Sequence, residues 1–242
     1  MLKKIGLSLL AASLAFSVQA AENELKTHTE LSYINTQGNS DTSSFALEAK
    51  AEKAWDAHSL RAVLAAYYSE DGGIESKNKW QTELNYDYAY TKRLSLNYLL
   101  GYVDDKFSGF DFQFYTGPGV GYKVIDTKAH KLNTQLNVLY AVDDVADAGA
   151  VSGGIESYAS WKAGADYGWQ IMENVKFAQE LTVRGSLEEA QNYFAMSKTS
   201  VATKINSSLS MGVSYKVDYV NQPPLGKEYT DRTFMTSLII DY

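Results

Sequence analysis

Apolar and polar side chains alternate along most of the chain. Over 80–90 the even positions are mainly aromatic or apolar and the odd positions are mainly polar, and the same period recurs over 94–102, 132–140 and 209–219. Because successive side chains of a β-strand point to opposite faces, this period predicts strands with one apolar and one polar face. No stretch with the ~3.6-residue period of an amphipathic helix competes with it. The sequence therefore predicts an all-β chain.

Twelve segments carry this pattern, although in two of them, 58–69 and 192–205, both faces hold apolar residues. The segments are 25–36, 42–55, 58–69, 77–90, 94–106, 112–124, 130–142, 155–170, 175–186, 192–205, 209–220 and 229–242. Each is long enough for the roughly 9–11 residues that a tilted strand needs to cross a bilayer, whereas strands of soluble proteins usually have about 5–6. We predict a transmembrane, antiparallel, up-and-down β-barrel over 21–242, most consistent with twelve strands, with ten or fourteen left open.

The connections between these segments alternate in length, which predicts an orientation. The tight ones are 56–57, 91–93, 171–174 and 206–208, and 125–129 is only slightly longer. The intervening ones are mostly longer, at 70–76, 107–111, 143–154, 187–191 and 221–228. Outer-membrane barrels have short periplasmic turns and longer outside loops. We therefore expect both termini to be periplasmic.

Aromatic residues cluster near the predicted strand ends, as in the two interfacial girdles of a membrane barrel. The principal girdle candidates are Trp55, Trp80, Tyr90, Tyr122, Tyr140, Trp169 and Tyr219. The chain also stops on a strand whose apolar face carries Phe234, Leu238, Ile240 and Tyr242. This ending resembles the C-terminal signal that the outer-membrane insertion machinery reads, so we expect that machinery as an assembly partner.

Residues 1–20 have the composition of a secretory signal peptide. Lys3 and Lys4 precede an apolar run that ends before a small-residue cleavage point at Ala20. The run is shorter than the ~20 residues of a spanning helix, which disfavours a membrane anchor. The absence of Cys excludes disulfides, and the net charge of −7 excludes a domain-wide basic surface for nucleic acid. We expect a protein of the outer membrane of a Gram-negative bacterium, in contact with lipid and lipopolysaccharide.

No catalytic motif is recognisable, and we expect neither an enzyme nor a cofactor. The sequence has no Gly-x-Ser-x-Gly elbow, HExxH motif, phosphate loop or dinucleotide fingerprint. His28, His58 and His130 fall near predicted strand ends, where a neutral imidazole is tolerated without a partner. The alternate glycines of 117–121 are expected to relieve crowding inside a barrel rather than to bind phosphate.

Asp143, Asp144 and Asp147 lie in the longest predicted outside loop and are the only metal candidate we single out. Their carboxylates could bind Ca²⁺ or bridge divalent ions to lipopolysaccharide phosphates. The spacing is not that of an EF-hand, and a solvated loop fits the pattern better.

Charged and amide side chains occupy the polar phases of the strands and are predicted to line the lumen. The charged set is Glu30, Glu48, Lys50, Glu52, Glu83, Asp87, Lys131, Lys162, Asp166, Glu180, Arg184, Lys198, Lys204, Lys216, Asp218 and Asp231. A polar lumen of mixed sign either holds a narrow water path or closes on itself through salt bridges. The surplus of carboxylates favours cations if a path exists.

Three stretches resemble a known family, the YdiY-like salt-induced outer membrane proteins, whose function is unassigned. They are 38–42, then 105–111 running into 117–122, and 217–219 together with Pro223 and Pro224. The resemblance spans nearly the whole chain after the signal peptide. It implies an outer-membrane β-barrel linked to salt stress, and it brings no catalytic residues with it.

Two functions follow from these patterns. The first is a small monomeric, porin-like channel that passes ions or small solutes and serves osmotic adaptation. The second is a barrel with a plugged lumen that acts structurally or binds a ligand through its extracellular loops. Cross-lumen pairs among Glu83, Asp87, Lys162 and Asp166 would close the lumen, whereas separated charges would leave a path.

Overall fold

The computed structural model describes residues 25–36, 42–147 and 153–242, which form a closed barrel of twelve antiparallel strands. The strands are β1 (Leu25–Thr36), β2 (Thr42–Trp55), β3 (His58–Asp71), β4 (Ile74–Ala89), β5 (Leu94–Asp105), β6 (Phe110–Asp126), β7 (His130–Val145), β8 (Gly154–Met172), β9 (Val175–Ser186), β10 (Tyr193–Lys204), β11 (Leu209–Val220) and β12 (Thr230–Asp241). Each strand pairs with the next, and β1 pairs with β12 to close the sheet. The predicted all-β barrel and its strand number are confirmed. The predicted signal peptide and positions 38–41 lie outside the described residues.

Two connections are shorter than predicted, because the strands beside them continue past the point where the apolar and polar residues stop alternating. The connection expected over 70–76 is a turn of only Gly72 and Gly73, whose φ angles are +57° and +77°. Strand β7 extends to Val145, so Asp143 and Asp144 belong to a strand and not to the outside loop. Beyond the bilayer both faces of a hairpin meet water, so the ladder can continue after the alternation ends.

The outer face of the barrel is apolar and exposed, whereas the inner face is polar. On β7, Leu136, Val138 and Tyr140 are 52%, 59% and 56% exposed, while the alternate Asn137 and Leu139 are 0% and 3% exposed. A continuous exposed apolar belt is unfavourable in water and is suited to lipid hydrocarbon. A closed sheet also pairs its backbone groups internally, as a lipid environment requires.

Two small apolar clusters lie inside the barrel. One contains Leu99, Tyr115, Leu139, Ala141 and Tyr158 on β5 to β8, and the other contains Ala65, Tyr67 and Met235 on β3 and β12. They pack the inner wall at two places, and most of the remaining inner surface is polar. In the described part of the chain, no helix has the length and hydropathy needed to span a membrane.

Candidate functional site: the barrel lumen

A cavity of about 1060 Å³ runs along the inside of the barrel. Its lining includes Phe107 and Lys227, in connections at one end, and Lys128 and Gln170 at the other end. A second cavity, of about 1080 Å³, lies between β1, β2 and β9 to β12 at the end that holds the short connections. Seven residues line both cavities, Lys50 and Glu180 among them, so the two cavities meet in this region.

A chain of ion pairs crosses the lumen at this meeting point. Lys198 on β10 donates to Glu30 on β1 at 3.0 Å and to Glu48 on β2 at 2.9 Å. Lys50 on β2 continues the chain, at 2.9 Å from Glu48 and 3.1 Å from Glu180 on β9. The order of charges is therefore acid, base, acid, base, acid. Since Lys198 is only 4% exposed, its ammonium group depends on these carboxylates to replace its lost hydration.

A second ion pair crosses the lumen between β4 and β8. Lys162 on β8 is hydrogen-bonded to Glu83 on β4, and the hydroxyl of Tyr115 donates to the same carboxylate at 2.9 Å. The Lys162 ammonium also lies 5.3 Å from the centroid of the Tyr115 ring. Of the four residues predicted to decide whether the lumen closes, Glu83 and Lys162 form a pair. Asp87 and Asp166 have no Lys or Arg within ion-pair distance in the described ranges.

An amide cluster fills the inner wall between β4 and β7. Asn137 Nδ2 donates to Asn97 Oδ1 at 2.6 Å, and Gln135 Nε2 donates to Asn137 Oδ1 at 2.7 Å. The Asn137 amide occupies the space beside Gly119, where an added Cβ would lie 2.2 Å from Asn137 Nδ2. Gly119 therefore relieves crowding inside the barrel, as the alternate glycines predict. The cluster packs the wall, and Gln135 and Asn137 line the cavity beside the charged side chains.

Besides the cross-lumen ion pairs, Arg184 on β9 narrows the lumen towards the end with the longer connections. Its guanidinium lies 4.5 Å from the centroid of the Phe194 ring and 5.0 Å from that of Tyr115, within cation–π range. It also lies 3.6 Å from the carboxylate of Asp143. Phe194 on β10 contacts Phe110 on β6 edge to face, with centroids 5.9 Å apart. Aromatic and cationic side chains therefore narrow the lumen here.

The connection 221–229, which we call the strap, reaches across the mouth of the barrel. Asn221 Nδ2 donates to the carbonyl oxygen of Gln191 at 2.8 Å, which anchors the strap to the β9–β10 connection. On the opposite side of the mouth it meets the β5–β6 turn, where a Cβ added at Gly109 would lie 2.7 Å from Cβ of Pro224. Gly109 also has φ +86°, which favours glycine. Two stretches that carry the family resemblance therefore touch across the mouth.

The other charged residues predicted for the lumen also lie on the inner face of their strands. Glu52 is 3.7 Å from Arg61, and Lys216 is 2.8 Å from Asp218. Asp87 accepts hydrogen bonds from Asn85 and, at 3.2 Å, from Ser95. Lys131, Asp166, Lys204 and Asp231 line the first cavity. Their role in a pore stays a prediction.

The proposed metal candidates do not converge. Asp143 faces inwards, is 3% exposed and accepts a hydrogen bond from Tyr158 at 2.7 Å. Asp144, the next residue along β7, points to the other face of the sheet, and Asp147 accepts a bond from the backbone N–H of Gly153. Within the described ranges, no three His, Asp or Glu side chains come together in a way that could hold a metal ion.

The predicted girdle residues lie on the outer surface near the strand ends. Trp80 packs against Tyr102 with ring centroids 5.0 Å apart, and Tyr219 packs against Tyr193 at 5.8 Å. Trp55 and Trp169 each stack on a histidine. The remaining three members are exposed, namely Tyr90, Tyr122 and Tyr140. The predicted insertion signal, Phe234, Leu238, Ile240 and Tyr242, is also exposed on the outer face of β12 and just beyond it. Insertion through this signal stays a prediction.

Sequence reasoning missed three residues that shape the lumen. Arg61 lies on a strand whose phase the sequence did not fix, and Tyr115 and Phe194 are aromatic residues that point inwards rather than into a girdle. The phase of β3 could have been found from Tyr67, Arg61 and Ser59, which share one face. Tyr115 is in phase with Gln113 and Phe194 is in phase with Lys198, so the alternation was the available signal that both aromatic residues point inwards.

Comparison with known proteins supports both the family and the fold. The family model described as "Protein of unknown function, DUF481" matches residues 29–242. The uncharacterised protein YdiY of Escherichia coli (strain K12) is 25% identical over 226 residues, which cover 90% of this chain and 84% of YdiY. The solved structure of the NanC porin superposes with a TM-score of 0.54 at 10% identity, covering 90% of this chain and all of that one. At this identity the NanC likeness shows the fold alone.

Proposed function

We propose that this chain, which belongs to the DUF481 family of proteins of unknown function, is a channel of the outer membrane for ions and small solutes. Because the family has no assigned function, the role is inferred from the barrel of this chain. One observation carries the proposal: the first cavity, of about 1060 Å³, has lining residues at both ends of the barrel. A water-filled polar lumen that reaches both ends is the basic requirement of a pore. The proposal assigns no catalytic step to the chain.

The outer surface supports the placement in the membrane. An apolar belt between aromatic strand ends matches the hydrocarbon core and the two interfaces of a bilayer. We place the short connections and both termini in the periplasm, and the strap outside. The outward C-terminal signal would direct assembly by the insertion machinery, and the monomeric barrel would contact lipid and lipopolysaccharide.

The cross-lumen pairs imply a narrow path with little charge selectivity. Among the described residues that line the first cavity, eleven are Lys or Arg and nine are Asp or Glu. The surplus of carboxylates in the whole sequence is therefore absent from this lining. We infer small hydrated ions and uncharged solutes as cargo, and a contribution to osmotic adaptation as the physiological role.

Permeation by uncharged solutes tests this function directly. Refolded protein in liposomes is diluted into isosmotic solutions of glycerol, a monosaccharide or a trisaccharide, and swelling is followed by light scattering. We expect swelling with glycerol that falls as the solute grows. Liposomes with heat-unfolded protein serve as the control. Swelling no faster than this control for glycerol and for small ions would refute the channel.

A closed barrel that acts through its outer loops is the second candidate. The pairs Lys50–Glu180 and Lys162–Glu83 cross the lumen, and the strap crosses the mouth, which is the arrangement that would plug a barrel. Folded protein that resists SDS at room temperature and stays impermeable would favour this alternative. Ligand binding would then be sought at the strap and the neighbouring connections.

A further inference from the structure

Two Trp–His–Tyr clusters of similar geometry lie on the outer surface at the end of the barrel with the short connections. In the first, the His58 ring stacks 5.8 Å from Trp55 and 5.9 Å from Tyr86, and His58 Nδ1 is 2.6 Å from the Tyr86 hydroxyl. In the second, the His130 ring stacks 5.8 Å from Trp169 and 6.1 Å from Tyr167, and its Nδ1 is 2.8 Å from the Tyr167 hydroxyl.

The two clusters are built from different strand arrangements. Around His58, the tryptophan comes from β2 and the tyrosine from β4, on either side of β3. Around His130, both Trp169 and Tyr167 come from β8. The Trp, His and Tyr rings are therefore at similar distances in both clusters, although His58 also contacts the Tyr88 ring at 5.2 Å. A girdle that only needed aromatic surface would not require a histidine between the rings in both places.

The hydrogen bond to tyrosine bears on which nitrogen of each imidazole carries the proton. In a neutral imidazole one ring nitrogen donates and the other accepts. In the described ranges neither the Tyr86 nor the Tyr167 hydroxyl has another hydrogen-bond partner, and we assign each hydroxyl as the donor to Nδ1. Nε2 then carries the hydrogen. Each cluster thus presents one N–H donor at Nε2, which has no partner among the described residues.

The position of this donor indicates its acceptor. Each histidine is the first residue of its strand, next to a short turn and at the edge of the apolar belt, and each is partly exposed. Hydrocarbon offers no acceptor there, and the nearest ones in a bilayer are the phosphate and ester oxygens of the lipid headgroups. Near the first cluster, the exposed Lys53 lies on the same face two residues before Trp55 and adds a positive charge.

We propose that His58 and His130, each held as the Nε2–H tautomer by a tyrosine, bind the phosphodiester headgroups of phospholipids in the periplasmic leaflet. The inference rests on the membrane placement in the proposed function but not on an open lumen. The rings of Trp55 and Trp169 cover the glycerol region, and Nε2 donates to a phosphate oxygen. The Lys53 charge makes the first site the tighter of the two.

NMR of protein labelled with ¹⁵N-histidine tests both parts of this inference. In nonionic detergent, long-range ¹H–¹⁵N spectra report the tautomer, and we expect Nε2–H at His58 and His130. Titration with dihexanoylphosphatidylglycerol should then shift both Nε2 signals saturably, His58 at the lower concentration. Neither dihexanoylglycerol, which lacks the phosphate, nor inorganic phosphate should shift these signals. His28, which faces the lumen and contacts Glu30 and Asp241, is the internal control.

Variants separate the site from the fold. Tyr86→Phe should release the His58 tautomer and abolish the lipid-induced shift there, while His130 keeps its own response and reports that the barrel is folded. Tyr167→Phe should have the reciprocal effect. An Nδ1–H tautomer in the unmodified protein, or equal shifts with dihexanoylglycerol, would overturn the proposal. Conductance through Tyr86→Phe should be unchanged, so failure of the channel and failure of the lipid sites remain distinguishable.

Discussion

Lys50 Nζ lies 3.1 Å from Glu180 Oε1, and this ion pair joins strands β2 and β9, which are five positions apart around the barrel. A contact between strands so far apart crosses the lumen rather than following the wall. Both side chains line the two cavities, so an ion that permeates would pass close to both of these opposite charges. The pair links the packing of the lumen to its proposed conductance.

Removing both charges of this pair should widen the path. In the double variant Lys50→Gln, Glu180→Gln, the two side chains are no longer held together by charge, and we expect single-channel conductance to rise roughly twofold. Lys176→Gln is the matched control, because Lys176 lines both cavities and has no ion pair in the described ranges. An equal rise in the control would show that the cross-lumen contact does not limit flow.

Lys198 should be the lysine whose loss destabilises the barrel most. Lys198→Met leaves Glu30 and Glu48 facing each other without the ammonium group between them, and removing one partner of a buried pair costs about 3–5 kcal/mol. The free energy of unfolding, measured in urea with lipid vesicles, reports this loss. Lys204→Met, at the exposed end of the same strand, should change it by less than about 0.5 kcal/mol. Equal values for the two variants would contradict the account.

Gly119→Ala should destabilise the barrel through a steric clash. The new methyl group would lie 2.2 Å from Asn137 Nδ2 and would break its bond to Asn97, at a cost of about 1–3 kcal/mol. Gly164→Ala is the control, since its Cβ would have no neighbour closer than 3.8 Å. Unfolding in the same urea assay should separate the two variants. A stable Gly119→Ala protein would show that the amide cluster rearranges freely.

The strap should set the size limit of the solutes that enter. Replacing 222–228 by two glycines removes the contact between Pro224 and Gly109 and opens the mouth. We expect liposome swelling with a trisaccharide to reach the rate that the unmodified protein shows with a monosaccharide. Lys227→Ala keeps the strap length and should keep the original size limit. If both proteins exclude the trisaccharide alike, the limit lies deeper, at Arg184 or at the cross-lumen pairs.

The strand pattern could be predicted because the bilayer imposes a two-residue period on the sequence. Strands β1, β2, β9 and β11 have the predicted bounds. The errors fall where the strands extend beyond the part with the two-residue period. At the tip of the β3–β4 hairpin, polar residues such as Glu70, Asp71 and Glu75 occupy both faces of the sheet, and they are still paired in the ladder. The Gly72–Gly73 pair, typical of a two-residue hairpin turn, was the available signal for the shorter connection.

The contacts across the lumen could not be predicted in the same way. Alternation tells which side chains point inwards, but not which of them meet, since that depends on the stagger of strands far apart in the barrel. Thus Glu83 and Lys162 were both expected inside, and only the structure shows that they pair while Asp166 does not. The contact of Pro224 with Gly109 depends on a loop that carries no period at all.

Single-channel recording in planar bilayers tests the central claim most directly. The refolded protein is added at two salt concentrations, and then under a salt gradient that reports charge selectivity. We predict small discrete steps, proportional to salt concentration, and a reversal potential close to zero because the lining charges nearly balance. Inserted and folded protein that gives no steps at either concentration would contradict the channel.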